Sequence, residues 1–522
     1  MRRIWVGSAL VTLGCIATLL ATSPGLPMVW DEGNAIRRAE AITHGDWQYT
    51  TRLEGHPAFY GIVITAGSWI SSRWLDPLDA ARFGPIALFG LAAGVMFYRL
   101  TRDYSATAGI GAVAALLVLP RVFAHAHFAS FDGPLTSCWI LAWATFRPAR
   151  QAWADGSSKM ACVLWGVTLG MTMSCKATGW IAPVPFFVWA AIYRDRPVAK
   201  AFCVGVPVAL VTFFALNPPL WQQPLDGWLT FLKLNLSRAA NPGLNISTWF
   251  LGRMYNLDHP LPWYNTIFWT AVTVPVGTLA LVVGGVLTVL RKCRAEPLGI
   301  LLLVHWLVLL VVRVLPGTPP HDGVRLFLPA FAFLAALAGV GCAEILDQVR
   351  RRWPDRPRAR RFAIATVVLL YAGSASSLVW YAPQWLSYYN LLIGGLPGAT
   401  AVGMEPTYYW DGLDRSVLDW LHEHSTAEQK VRFGAGSPEN YALMRRWGVL
   451  RRQTRPDAPG EFRWYVLQHR PSGWQPADHW LLDNAQPAYR KVIRPTGFGP
   501  WRLDVPLVDA YDYAQYERAC RP

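Results

Sequence analysis

The sequence predicts an α-helical integral membrane protein with about eleven transmembrane helices, N-terminus in and C-terminus out, followed by a small mixed α/β outward-facing domain. Three observations predict it. Of the 522 residues 53% are hydrophobic, 27 are Trp and only 16% are charged, a balance that soluble chains of this size do not carry. The apolar residues gather in long runs. The basic excess, a formal net charge of +15, sits in the short loops between those runs; this is the positive-inside pattern, and it argues against nucleic acid as a partner.

The first run, Ile4 to Ala21 after Arg2 and Arg3, reads as a retained anchor rather than a cleaved signal peptide, because it is long and more membrane segments follow. Further spanning runs lie at about 82–98, 106–120, 132–147, 160–174, 178–193, 200–216, 266–290, 298–315, 324–343 and 362–381. The run Phe59 to Ile70 is only about a dozen residues long and follows Gly55-His56-Pro57, which suits a re-entrant or interfacial helix. Charge decides its status. If it does not cross, the basic loops at 99–102, 147–159, 194–200, 291–294 and 350–361 share a side with Arg2 and Arg3; if it crosses, they lie opposite.

Residues 1–381 therefore form a multi-span domain with outer loops at 24–81 and 217–265. Residues 382–522 contain no spanning run and form the outward soluble domain, with strand-like stretches at 462–467 and 489–493 and a helix-like stretch at 416–424. Of the eight cysteines, only Cys520 falls in that tail, so no disulfide staples it; the others read as packed thiols in or near apolar runs, apart from Cys293 in a basic loop.

This topology sorts polar residues onto one face. Asp31, Glu32, His56, His125, His127, Asp132, Lys176, the pair His321-Asp322 and Arg325 all land outside, at helix ends. A transporter would instead place ionisable groups near the midplane within broken helices. Transfer of a sugar from a lipid phosphate needs a carboxylate to deprotonate an acceptor hydroxyl and cations to hold the phosphate as charge develops on it. Both are present on this face. Arg325 enters as a phosphate ligand from topology and charge alone, since a guanidinium pairs well with phosphate oxygens. His125 and His127, with Asp132 or His56, make a divalent metal a possible cofactor; satisfied interface histidines are the plainer reading. No Gly-rich nucleotide loop is visible.

Four features in order resemble the protein O-mannosyltransferase and aminoarabinose transferase branch of the GT-C glycosyltransferases. They are the Asp31-Glu32 pair after the first helix, Gly55-His56-Pro57, Asp132 at the start of the fourth helix, and the outward Lys176 in Ser174-Cys175-Lys176-Ala177-Thr178. The resemblance covers roughly residues 1–345. It implies Asp31 as catalytic base, Glu32 supporting the site, Asp132 shaping it or holding the acceptor, and His56 and Lys176 facing the lipid phosphate. The chain departs from the family at Pro57-Ala58-Phe59-Tyr60, where a second Pro is usual, and lacks the large luminal domain of the eukaryotic mannosyltransferases.

The expected function is an inverting glycosyltransferase that moves a sugar from a polyprenyl-phosphate donor to an acceptor hydroxyl on protein, lipid or glycan. The expected location is the cytoplasmic (inner) membrane, with the active site on the periplasmic side. A lipid or solute transporter or flippase, and a lipid-diphosphate glycan ligase or polymerase, stay open as alternatives.

Overall fold

The computed structural model describes residues 2–46, 55–156, 158–221, 223–237, 245–451, 460–493 and 504–521. Each of the eleven apolar runs is helical in it. Among the described residues five helices are long and apolar enough to cross a membrane: Arg2–Thr22, Pro77–Asp103, Arg196–Ala215, Gly323–Arg352 and Pro357–Trp380. A sixth is counted if the pair Ala106–Leu117 and Pro120–His127, bent by 76°, is one span. Proline sets that bend. The ring of Pro120 disfavours helical backbone at the preceding residue, and Leu119 is extended at φ −84°, ψ 103°. The second limb is thereby turned along the end of the bundle, where it carries Arg121, His125 and His127.

The centre of the bundle is the helix Leu328–Arg352, buried almost throughout its apolar length. Two glycines let neighbours approach it on different sides. A Cβ at Gly339 would lie 2.3 Å from the carbonyl oxygen of Ala108, and one at Gly341 would lie 2.1 Å from that of Leu281. Between apolar helices in lipid there is little hydrophobic drive, so such close backbone contact supplies the packing.

The helix Phe59–Ser71 has 13 residues, about 20 Å of rise, and so is shorter than the roughly 30 Å hydrocarbon core. It packs against Pro77–Asp103 and Glu32–Thr43. The chain entering it is pinned at two points. The amide of Ala58 donates to Asn217 Oδ1 at 2.8 Å, and that of Phe59 to the carbonyl of Ser174 at 3.1 Å. His56 is thereby held beside the turn that carries Lys176. Residues 47–54, 222 and 238–244 of the two outer loops lie outside the described residues.

Past Tyr381 the chain does not leave the helical body at once. Trp385, Tyr388, Tyr389, Tyr408 and Tyr409 are all buried and close over the ends of the helices. Only then comes a four-stranded sheet in the order β3-β4-β6-β5, with β3 Val431–Phe433, β4 Trp464–Gln468, β5 Tyr489–Ile493 and β6 Val505–Asp512. β3 runs parallel to β4, and the other pairs are antiparallel. Both faces of β4 are buried. A short hairpin, β1 Thr248–Phe250 with β2 Arg253–Tyr255, belongs to the 217–265 loop.

Gly341→Ala is expected to destabilise the protein by about 1–3 kcal/mol through overpacking, read as a lowered melting temperature in detergent. Gly14→Ala, where a Cβ meets nothing within 4 Å, is the matched control. Equal melting of the two variants would contradict the close crossing.

Candidate active site

Four carboxylates and three cations meet where the bundle adjoins the sheet. Asp31 immediately precedes the helix Glu32–Thr43, yet its side chain makes no capping bond. Its Oδ2 instead accepts from Tyr409 Oη at 2.8 Å and from Arg325 Nη2. Asp132 opens the helix Asp132–Ala154 and has no free oxygen: Lys176 Nζ donates to Oδ1 at 2.7 Å and Arg325 Nε to Oδ2 at 2.8 Å. Arg325 also pairs with Asp322, whose other oxygen accepts from Arg470 Nη2 at 3.2 Å. Arg470 in turn lies 3.5 Å from the buried carboxylate of Glu405. Asp31 is the most open of the three acids that Arg325 bridges, at 18% side-chain exposure against 9% for Asp322 and 1% for Asp132.

Phe131 is the floor beneath the cations. Lys176 Nζ lies 4.5 Å and the Arg325 guanidinium 5.3 Å from its ring centroid. The His56 ring stacks on it at 5.1 Å. Arg325 also lies 4.3 Å from the Tyr409 ring. Cations held against π faces keep favourable electrostatics without a full water shell.

Burial tends to lower the Lys176 ammonium, and Asp132 opposes this; the net shift is downward. Burial also pushes the Tyr409 phenol well up, so it stays protonated as the donor to Asp31. At Asp322 burial favours the acid, but the guanidinium groups of Arg325 and Arg470 outweigh it and hold the carboxyl below its usual range. His321 is kept neutral, pushed down by burial to about 3.

Glu32 is turned away from this cluster. Arg82 clamps both of its oxygens at 2.8 Å, and the amides of Val29 and Ala129 donate to it at 3.1 and 2.9 Å. Both side chains of the pair are fully buried. Glu32 therefore ties the loop bearing Asp31 to the loop before Asp132.

His125 and His127 do not converge. Residues two apart on a helix point roughly 200° from one another, and His127 has both ring nitrogens engaged, with Thr22 Oγ1 at 2.9 Å and the Phe123 carbonyl at 2.7 Å. His125 faces the site, its ring 5.8 Å from that of Tyr409. Among the described residues no group of three His, Cys, Asp or Glu is arranged to hold a metal.

Asp31, His56, Asp132, Lys176 and Arg325 thus share one site, and Tyr409, Asp322 and Arg470 join them. Tyr409 lies in an aromatic segment visible in the sequence, and Asp322 sits beside Arg325. Arg470 follows β4, and nothing local in the sequence marks it. Arg121 is a further addition: its guanidinium lies among the rings of Trp269, Tyr389 and Tyr408 at 5.3, 4.6 and 5.4 Å, and its Nε donates to the Tyr388 carbonyl at 3.2 Å. It fastens both Tyr segments to the bent helix.

Residues 59–221 match the family model for dolichyl-phosphate-mannose-protein mannosyltransferase. Over that segment, which includes Asp132 and Lys176, the chain is similar to these glycosyltransferases. No curated protein matches the chain. Among solved structures, ArnT from Cupriavidus metallidurans bound to undecaprenyl phosphate is 15% identical, with 97% of this chain and 98% of that chain covered and a TM-score of 0.49. AglB from Archaeoglobus fulgidus, in complex with an inhibitory peptide and a dolichol-phosphate, is 11% identical over 88% of this chain and 69% of that chain, with a TM-score of 0.49.

Arg470→Met strips the buried Glu405 of its cation and should cost about 3–5 kcal/mol, seen as a lower melting temperature. Adding Glu405→Gln should restore part of the loss, because the two changes share one interaction. An unchanged melting temperature in the single variant would contradict this link between sheet and site.

Proposed function

We propose that the protein is an inverting glycosyltransferase with eleven membrane crossings, N-terminus in and C-terminus out. It moves a sugar from a polyprenyl monophosphate to an acceptor hydroxyl at the outer surface of the inner membrane. The observation that carries this reading is the unequal treatment of two acids that share one arginine. Asp132 has both oxygens occupied by Lys176 and Arg325, whereas Asp31 keeps Oδ1 without a hydrogen bond among the described residues and is the more exposed. Asp132 holds the cations in place, and Asp31 is left to take a proton.

In the proposed reaction the acceptor hydroxyl gives its proton to Asp31 as its oxygen attacks the anomeric carbon. The bond from that carbon to the phosphate oxygen breaks on the opposite face, so the configuration inverts. The donor is a phosphodiester with one negative charge, and the departing lipid phosphate carries nearly two at neutral pH. Lys176 and Arg325 meet that added charge, with His56 beside them on Phe131. Cations already fixed in a water-poor site need little reorganisation as the charge grows, so they favour the transition state over the bound donor.

Transfer of radiolabelled sugar from a panel of polyprenyl-monophosphate donors tests this. Asp31→Asn should lower kcat by about 10²–10⁴-fold, the usual contribution of a positioned base, with donor binding retained. Lys176→Ala should lower kcat as well as raise the donor KM, because the ammonium meets charge that grows in the transition state. Equal transfer by wild type and Asp31→Asn would contradict the base assignment. Label that crosses the membrane with no new glycosidic bond would favour a transporter.

A further inference from the structure

A cavity of about 450 Å³ lies at the other end of the helices, away from the candidate active site. Arg147 in its wall is on the same helix as Asp132 and fifteen residues further on, about 22 Å at 1.5 Å per residue. The walls are the ends of the helices Pro77–Asp103, Asp132–Ala154, Val184–Tyr193 and Pro297–Arg313, with the loops next to them.

Two donors in the cavity have capacity left over. Arg147 pairs with Asp103 through Nη1, and its other N–H groups meet no acceptor among the described residues, while 31% of its side chain stays exposed. Tyr104 Oη is buried with no hydrogen-bond partner among the described residues. A buried hydroxyl in that condition costs about 1–3 kcal/mol until an acceptor arrives. Burial, followed by the nearby charges of Asp103 and Glu296, pushes the Tyr104 phenol up, so it remains a donor. One acceptor is equally under-used: the nearest cation to Glu296 is Lys292, at 3.7 Å, and the carboxylate is 47% exposed.

The remaining charges cancel. Arg150 and Asp195 pair with each other at 2.7 Å, and Asp103 is shared between Arg147 and Arg99. A plain anion would have to approach Glu296, and a plain cation would have to approach Arg147. A zwitterion satisfies both.

We propose that this cavity holds the headgroup of an aminophospholipid, its phosphate against Arg147 and Tyr104 and its primary ammonium against Glu296. The volume lies in the range of small-ligand sites. Val188 and Ile192, on the helix that supplies Trp189 and Tyr193 to the wall, are exposed on the bundle surface and offer a path for acyl chains. The site is independent of the transfer reaction.

Native mass spectrometry of the full chain in detergent tests this, with phosphatidylethanolamine, phosphatidylcholine and phosphatidylglycerol of identical acyl chains added in turn, and free phosphoethanolamine as a fourth arm. One phosphatidylethanolamine should be retained in preference to the other two lipids. Glu296→Gln should weaken it about tenfold, the size of one charged hydrogen bond. Tyr104→Phe, which removes only the unpartnered hydroxyl, should weaken it several-fold. Equal retention of the three lipids, or phosphatidylethanolamine binding unchanged in both variants, would overturn the proposal. Free phosphoethanolamine binding as tightly as the lipid would overturn the lipid assignment.

Discussion

One guanidinium holds the candidate active site together. Arg325 pairs with Asp31, Asp132 and Asp322, carboxylates that come from three separate stretches of chain. Carboxylates brought this close would repel one another; Arg325 among them and Lys176 on Asp132 supply the opposing charge. Arg suits the position better than Lys because its planar fork offers separate N–H groups to several acceptors at once. The same arrangement leaves the cations close to neutralised before any substrate arrives. An incoming lipid phosphate must therefore exchange with a carboxylate for its counter-charge, and Asp31 is the partner with the least to lose. In the proposed reaction, donor binding would then free Asp31 to act as the base.

The surrounding fold serves that convergence. The break at Pro120 turns a short helix across the end of the bundle, and its Arg121 anchors the aromatic segments that bring Tyr409 onto Asp31. The buried pair of Glu32 and Arg82 ties the Asp31 loop to the chain before Asp132. Removing either partner would leave an isolated buried charge, so the pair fixes geometry more than it adds net stability. The sheet is part of the same construction, because Arg470 reaches Asp322 from beyond β4.

Much of this was legible in the sequence. Apolar runs reveal helices because burial in lipid demands about 20 residues of continuous hydrophobicity, and all eleven runs are helical. Placing the basic loops on one side was enough to put Asp31, His56, Asp132, Lys176 and Arg325 on the other, and the structure brings these five together. What stayed hidden depends on tertiary contact. Arg470 is joined to Asp322 across 148 positions, and no local pattern encodes that. The division between Asp31 and Asp132 rests on which oxygens are already bonded, and the turning away of Glu32 rests on Arg82, fifty residues distant. The His125-His127 pair shows the reverse case: two residues apart in sequence, the two rings are separated by helical geometry.

The most direct test of the Arg325 account is a structure of the protein with a polyprenyl monophosphate bound. The account predicts the phosphate within hydrogen-bond distance of Arg325 and Lys176, with Asp132 still paired to at least one of them and the contact between Arg325 and Asp31 released. A phosphate bound away from both cations, or one that leaves Asp31 still paired to Arg325, would contradict it.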